Sequence, residues 1–100
     1  MNNIKNIELV KESYSLDKIT QINIKSYNLN NVYNSKQTGI FPQDVENILP
    51  ELIYFRDDWN DTNKYVKYDN LIPHLVNCIK ELNNKINSLT NELQEIKNNN

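Results

Sequence analysis

The sequence predicts a small mixed α+β domain followed by a long C-terminal helix that self-associates as a parallel coiled coil. Three observations carry this expectation. From Asp69 onward the apolar residues recur in alternating steps of three and four. The first 68 residues mix one stretch of helical spacing with short strand-like stretches. The only glycine, Gly39, and two of the three prolines, Pro42 and Pro50, fall together in TGIFPQDVENILPELI, residues 38–53, so the fold's punctuation is concentrated in one corner.

Taken in order, YSLDKITQI has helical spacing, with Leu16, Ile19 and Ile22 on one side and Ser13 or Ser15 as the expected cap. NIKSYNLN is strand-like, NNVYNSKQTG is a turn or hairpin region, and GIF is a short strand. Pro42 suits the first position of a helix, and Asp44 and Glu46 suit its positive end. Val45, Ile48 and Leu49 give that helix an apolar side, and Pro50 is expected to end it. ELIYFR and KYVKY are strand candidates joined by the polar loop DDWNDTN. Trp59 in that loop suits either a lid over the core or a contact residue. The boundaries expected are a domain over 1–68 and a helix over 69–100.

The helix carries Ile72, Leu75, Ile79, Leu82, Ile86, Leu89, Leu93 and Ile96 at positions a and d of a heptad repeat. Asn77, Asn84, Asn91 and Asn98 occupy the outermost position, and Asp69 or Asn70 can cap the start, with Pro73 inside the first turn. Glu92 at g and Lys97 at e are placed to pair between parallel chains. Such a helix is roughly 40 Å long, whereas the residues before it form a globule only about 25–30 Å across. Part of the apolar stripe would stand in water if the chain stayed alone, and each buried Leu or Ile is worth roughly 1.5–3 kcal/mol. Partner helices are therefore expected. Ile at a with Leu at d favours two strands, whereas Leu93 at a and Ile96 at d lean toward more. The heptads leave the number open.

Composition excludes several function classes. The formal net charge is −2 with acids and bases interspersed, so the basic stripe of a nucleic-acid binder is missing. No apolar run is long enough for a membrane span or a signal peptide. A single cysteine, Cys78, forbids an internal disulfide, and with the lone His74 it cannot build a zinc site. No cofactor or metal is expected, and a reducing intracellular setting is. The excess of Asn, Lys and Ile, with ten Lys to one Arg and no alanine, reflects an AT-rich gene.

Candidate chemistry is sparse. Ser13 and Lys18 could act as nucleophile and base if the lysine were neutral and within reach, but a cap and a solvated charge account for them at less cost. Asp57 and Asp58 are adjacent in the expected loop and suit a turn. His74 is expected to point outward into solvent, and Cys78, at g, to be a small apolar filler. There is no Gly-rich phosphate loop.

Two motifs in order carry a family resemblance. Gly39, Gln43, Val45, Glu46, Pro50 and Glu51 form the first; Tyr68, Leu71, Ile72, Pro73, Leu75, Val76, Ile79, Lys80, Glu81 and Leu82 form the second. Together they resemble the C-terminal intramolecular chaperone domain of endosialidase tailspikes and phage tail fibres, related forms of which occur in some animal membrane-bound transcription factors. Two positions depart: Pro42 stands for the usual Ala and Asp44 for the usual Glu. The opening NNIKNIELVKESYSLDKITQINIKSYNLN is similar to the family's opening, in which an Asn-Ile pair precedes a short helix and a strand.

The resemblance implies a parallel homotrimer, a viral setting in the host cytoplasm or the virion, and an N-terminal β-rich fibre passenger. In the family such a domain brings three passenger chains into register and is then released by a Ser-Lys dyad just before the Asn-Ile pair. If Asn3-Ile4 is that pair, Met1 stands where the lysine belongs and the serine lies upstream. Ser13 and Lys18 copy the spacing on the wrong side of the pair. No self-cleavage by this chain is expected. Two other readings remain: a stand-alone structural oligomerisation module of a virion or fibre protein, and an active self-cleaving serine-lysine peptidase.

Overall fold

A computed structural model of the chain describes residues 3–29, 33, 35–58 and 61–99. An extended N-terminal segment leads into helix α1 (Glu12–Ile19), strands β1 (Lys25–Asn28) and β2 (Lys36–Gly39), and helix α2 (Pro42–Val45). A 3-10 turn (Pro50–Leu52) then enters strands β3 (Ile53–Asp58) and β4 (Asp61–Val66), and helix α3 (Tyr68–Asn98) closes the chain. The mixed α+β architecture with a long C-terminal helix is as the sequence predicts. The strands form two separate antiparallel hairpins, β1 with β2 and β3 with β4.

The core is small and lies where the punctuated corner meets the start of α3. Val45, Leu49, Leu52, Ile53, Val66 and Leu71 are buried together, with Ile19, Ile22, Ile40 and Ile48 packed around them. Pro42 stands in the first turn of α2 with Phe41 as N-cap, the place where a missing N–H costs nothing. Pro50 does more than stop that helix, because it opens the 3-10 turn that buries Leu52. The backbone N–H of Lys67 donates to the Leu52 carbonyl at 2.6 Å, fastening the root of α3 to this turn.

Tyr68, the first residue of α3, makes the second fastening. The Ile40 N–H donates to its phenol oxygen at 3.1 Å, and the phenol O–H returns to the Ile40 carbonyl at 3.3 Å. Gly39 lies beside the Tyr68 hydroxyl. Its φ is not positive, so its backbone does not demand glycine. A Cβ there would sit 3.4 Å from the Tyr68 hydroxyl and 3.5 Å from the Tyr27 ring, enough room for one methyl group and no more. Two ion pairs staple the periphery: Lys25 to Asp44 at 2.9 Å and Lys64 to Glu46 at 2.7 Å.

Several local expectations change. The strand expected at GIF lies earlier, at Lys36–Gly39, where it pairs with β1 from Lys25↔Gly39 to Asn28↔Lys36. The loop of that hairpin is closed by Ser35, whose hydroxyl donates to the Leu29 carbonyl at 2.9 Å; residues 30–32 and 34 of the expected turn are outside the described residues. The polar stretch DDWNDTN is mostly strand, since pairing continues to Asp58↔Asp61. Asp57 and Asp58 thus belong to β3, and Trp59 lies outside the described residues. Cross-strand stacking of Tyr54 on Tyr65, at 5.3 Å between ring centres, supports the ladder. α1 starts at Glu12 with Lys11 as N-cap, so neither Ser13 nor Ser15 caps it. α3 is capped by Lys67 rather than by Asp69 or Asn70. Pro73 therefore falls in the second turn, where it removes one helical hydrogen bond.

Thermal unfolding followed by circular dichroism tests the packing at the corner. Gly39→Ala is expected to move Tm by less than about 4 °C, equivalent to under 1 kcal/mol for a domain this size. Leu49→Ala, which empties a fully buried site, is expected to cost about 2–5 kcal/mol. Equal damage from the two would show that Gly39 serves something other than room for Tyr27 and Tyr68.

Candidate functional site

The largest feature without a counterpart in its own chain is one face of α3. Ile72, Leu75, Ile79, Leu82, Ile86, Leu89, Leu93 and Ile96 are all exposed, from 41% at Leu75 to 69% at Ile79. The same helix buries Leu71 and Cys78, both at g, and half-buries His74, Asn77 and Glu81 at c, f and c. The domain's own packing therefore uses the c, f and g side of α3, and the a and d stripe faces away from it.

What holds α1 to that other side is polar. Ser15 is 0% exposed, in the interior of α1. Its Oγ lies 2.8 Å from His74 Nδ1 and accepts a hydrogen bond from Asn77 Nδ2 at 3.0 Å. Asn77 Nδ2 also reaches the Val10 carbonyl at 3.2 Å. On its far side His74 Nε2 lies 3.9 Å from Glu51 Oε1, and Tyr14 tilts over the ring. His74 is thus partly buried between α1 and the 3-10 turn, not turned to solvent as its heptad position suggests. Asn77 likewise faces α1 rather than water.

Ser15, His74 and Glu51 have the composition of a nucleophile, base and carboxylate set, and sequence reasoning missed the grouping. The geometry does not serve catalysis. Ser15 is sealed from any substrate, and Glu51 stands beyond hydrogen-bond distance of the imidazole. The set is a tie between two helices. The signal that could have found it is the pairing of His74 and Asn77 three residues apart, facing a serine inside an amphipathic helix. Ser13 is exposed, and Lys18 extends over the Tyr14 ring at 5.6 Å; among the described residues no hydrogen bond joins Lys18 to Ser13. Burial pushes the Cys78 thiol above its ordinary pKa, the opposite of what a nucleophile needs.

The residues of the first motif are spread through the corner. Val45 is fully buried, Glu46 pairs with Lys64, Glu51 faces His74, and Gln43 is exposed. Those of the second root the long helix through Tyr68 and Leu71. Among the described residues, no group of His, Cys, Asp and Glu could hold a metal ion, and no helix is long and apolar enough to cross a membrane.

Ser15→Ala would leave Asn77 and His74 without their buried partner, and urea unfolding is expected to show a loss of about 1–3 kcal/mol. Glu51→Gln, at an exposed carboxylate, is expected to change little. In the native protein Cys78 is expected to resist a maleimide at neutral pH and to react once the chain is unfolded.

Comparison with known proteins adds one finding. A family model described as "Chaperone of endosialidase" matches residues 2–54, from the N-terminal segment through the start of β3. No curated protein matches the chain.

Proposed function

The chain belongs to the chaperone-of-endosialidase family, and from that premise we propose that it is a trimerisation and folding domain for a β-rich fibre or spike passenger. The observation that carries the reading is the bare stripe on α3. A folded monomer of 11.8 kDa exposes about 5,900 Å² by the usual scaling of surface with mass, whereas this chain exposes 8705 Å². The excess of about 2,800 Å² per chain comes from the projecting helix and the extended N-terminal segment. The radius of gyration of 19.5 Å, against about 13 Å for a compact domain of this length, has the same origin in the projecting helix.

In this reading Ile72, Leu75, Ile79, Leu82, Ile86, Leu89, Leu93 and Ile96 form the knobs of a parallel three-stranded coil. The number three comes from the family resemblance, and the apolar Leu93–Ile96 end accords with it. Residues 1–68 act as the head that roots each helix and residues 69–100 supply the coil. Glu92 and Lys97 pair across chains and set their register.

The physical benefit to a passenger is entropic. Interdigitated β fibres need non-local contacts between chains, which form slowly and compete with aggregation. A coil that associates first holds three passenger ends at roughly millimolar effective concentration, so their first contacts become nearly intramolecular. That work needs no nucleophile, and the sealed Ser15 and separated Ser13 and Lys18 fit a role without self-cleavage by these residues.

Leu82→Asn places a polar amide in the middle of the stripe. Multi-angle light scattering is expected to report a fall from three chain masses to one, with Tyr54, Tyr65 and the rest of the head still folded. An unchanged mass would refute the stripe as the interface. A β-fibre passenger joined to the N-terminal side is expected to refold in higher yield with the parent domain than with Leu82→Asn. Equal yields, with the mass change intact, would leave an oligomerisation module without a chaperone role.

A further inference from the structure

Ser15 has one hydroxyl proton, and its surroundings leave one place for it. The Val10 carbonyl can only accept, so the group that Asn77 turns toward it at 3.2 Å is the amide NH2. The same Nδ2 therefore donates to Ser15 Oγ at 3.0 Å. Among the described residues, the other hydrogen-bond partner of that oxygen is His74 Nδ1, at 2.8 Å, and there is no third. The Ser15 proton lies on this bond. Nδ1 accepts it, and the ring carries its own proton on Nε2, on the side of Glu51. The imidazole that fits the site is the neutral one.

A second ring proton would have to enter at Nδ1. That nitrogen then becomes a donor facing a hydroxyl that already accepts from Asn77. Ser15 Oγ can take both donors, but its own proton is left without an acceptor, at a residue 0% exposed where water cannot supply one. Glu51 offsets little of this: it stands 3.9 Å from Nε2 on a side chain 54% exposed, so its attraction for an imidazolium is screened. From α1, Tyr14 tilts over the imidazole and Lys18 lies over the Tyr14 ring, a like charge for an imidazolium. The remaining charges of α1 and its N-cap face elsewhere, Lys11 and Glu12 toward Lys80 and Glu81, and Asp17 toward Lys85. On α3 itself Glu81 is held by Lys85 at 3.8 Å.

We propose that Ser15, His74 and Asn77 form a proton-operated latch: the neutral imidazole holds the first turns of α1 and the Val10 carbonyl against α3, and protonation at Nδ1 releases them. The sign follows from linkage, because the opened site binds the proton better than the closed one. The latch is whole above the range in which imidazoles titrate and is lost as pH falls through it. Ile19 and Ile22 remain packed on the core, so release loosens α1 and the segment before it without unfolding the head. The latch lies within one chain and stands whether or not copies associate.

His74 is the chain's one histidine, so nitrogen NMR of the imidazole reports on it alone. At about pH 8 the ring is expected to carry its proton on Nε2, with Nδ1 accepting. Between about pH 8 and pH 5, hydrogen exchange of the Ser15, Leu16 and Asp17 amides, corrected for its intrinsic dependence on pH, is expected to quicken on the order of tenfold, in step with the ring's titration. The β3 and β4 amides are expected to keep their protection. His74→Gln, whose side-chain oxygen accepts from Ser15 and takes up no proton, is expected to exchange slowly at both ends of the range. Glu51→Gln is expected to keep the step, which excludes the ion pair as its cause. A proton on Nδ1 at the alkaline end, a ring still neutral at the acid end, a titration that leaves α1 unchanged, or an equal step in His74→Gln would each overturn the latch. Should His74→Gln fail to fold, the ring tautomer and the coincidence of the two titrations decide in the parent chain.

Discussion

The long helix has two unlike sides, and the rest of the structure follows from the difference between them. Its c, f and g side carries Leu71, His74, Asn77 and Cys78 into the chain's own head. Its a and d side carries an unbroken run of Ile and Leu, each at least 41% exposed. A head whose core is six buried residues is small for a chain of this length. In the assembly proposed above, folding of the head and association of the stripes reinforce one another, since anything that binds only the folded form stabilises it.

The division needs the helix to be fixed in rotation, because a turn of about 100° per residue would point the stripe elsewhere. Three fastenings set that rotation. The Leu52 carbonyl and Ile40 backbone hold the root at Lys67 and Tyr68. About two turns further on, His74 and Asn77 hold Ser15 of α1. Polar ties are directional where apolar packing is not, so they specify rotation at little cost in area. The buried serine ties α1 to α3 through His74 and Asn77.

Much of this was legible in the sequence, for particular reasons. The three–four spacing announced α3 because those steps place apolar residues along one face of a helix. Pro42 announced α2 because few other positions welcome a residue without an N–H. The stretch that concentrates Gly39, Pro42 and Pro50 proved to be the corner over which the core is built. Other features were hidden because they depend on contacts distant in sequence. The heptad alone assigns Asn77 to solvent; only the arrival of α1, about sixty residues earlier in the chain, turns it inward. Polar DDWNDTN reads as a loop because its residues show no apolar alternation that would mark a strand. The place of the β2 strand was set by its partner β1 and not by its own residues, KQTG. Gly39 gave no sign that its neighbours, rather than its dihedral angles, limit what can replace it.

The central claim is that three copies share one coil, and the solution mass of the intact chain tests it most directly. Sedimentation equilibrium over a wide concentration range is expected to converge on three times the chain mass of 11.8 kDa. A species that stays at one chain mass throughout would contradict the account, and a limit at two would keep the stripe as an interface but remove the three-fold assembly.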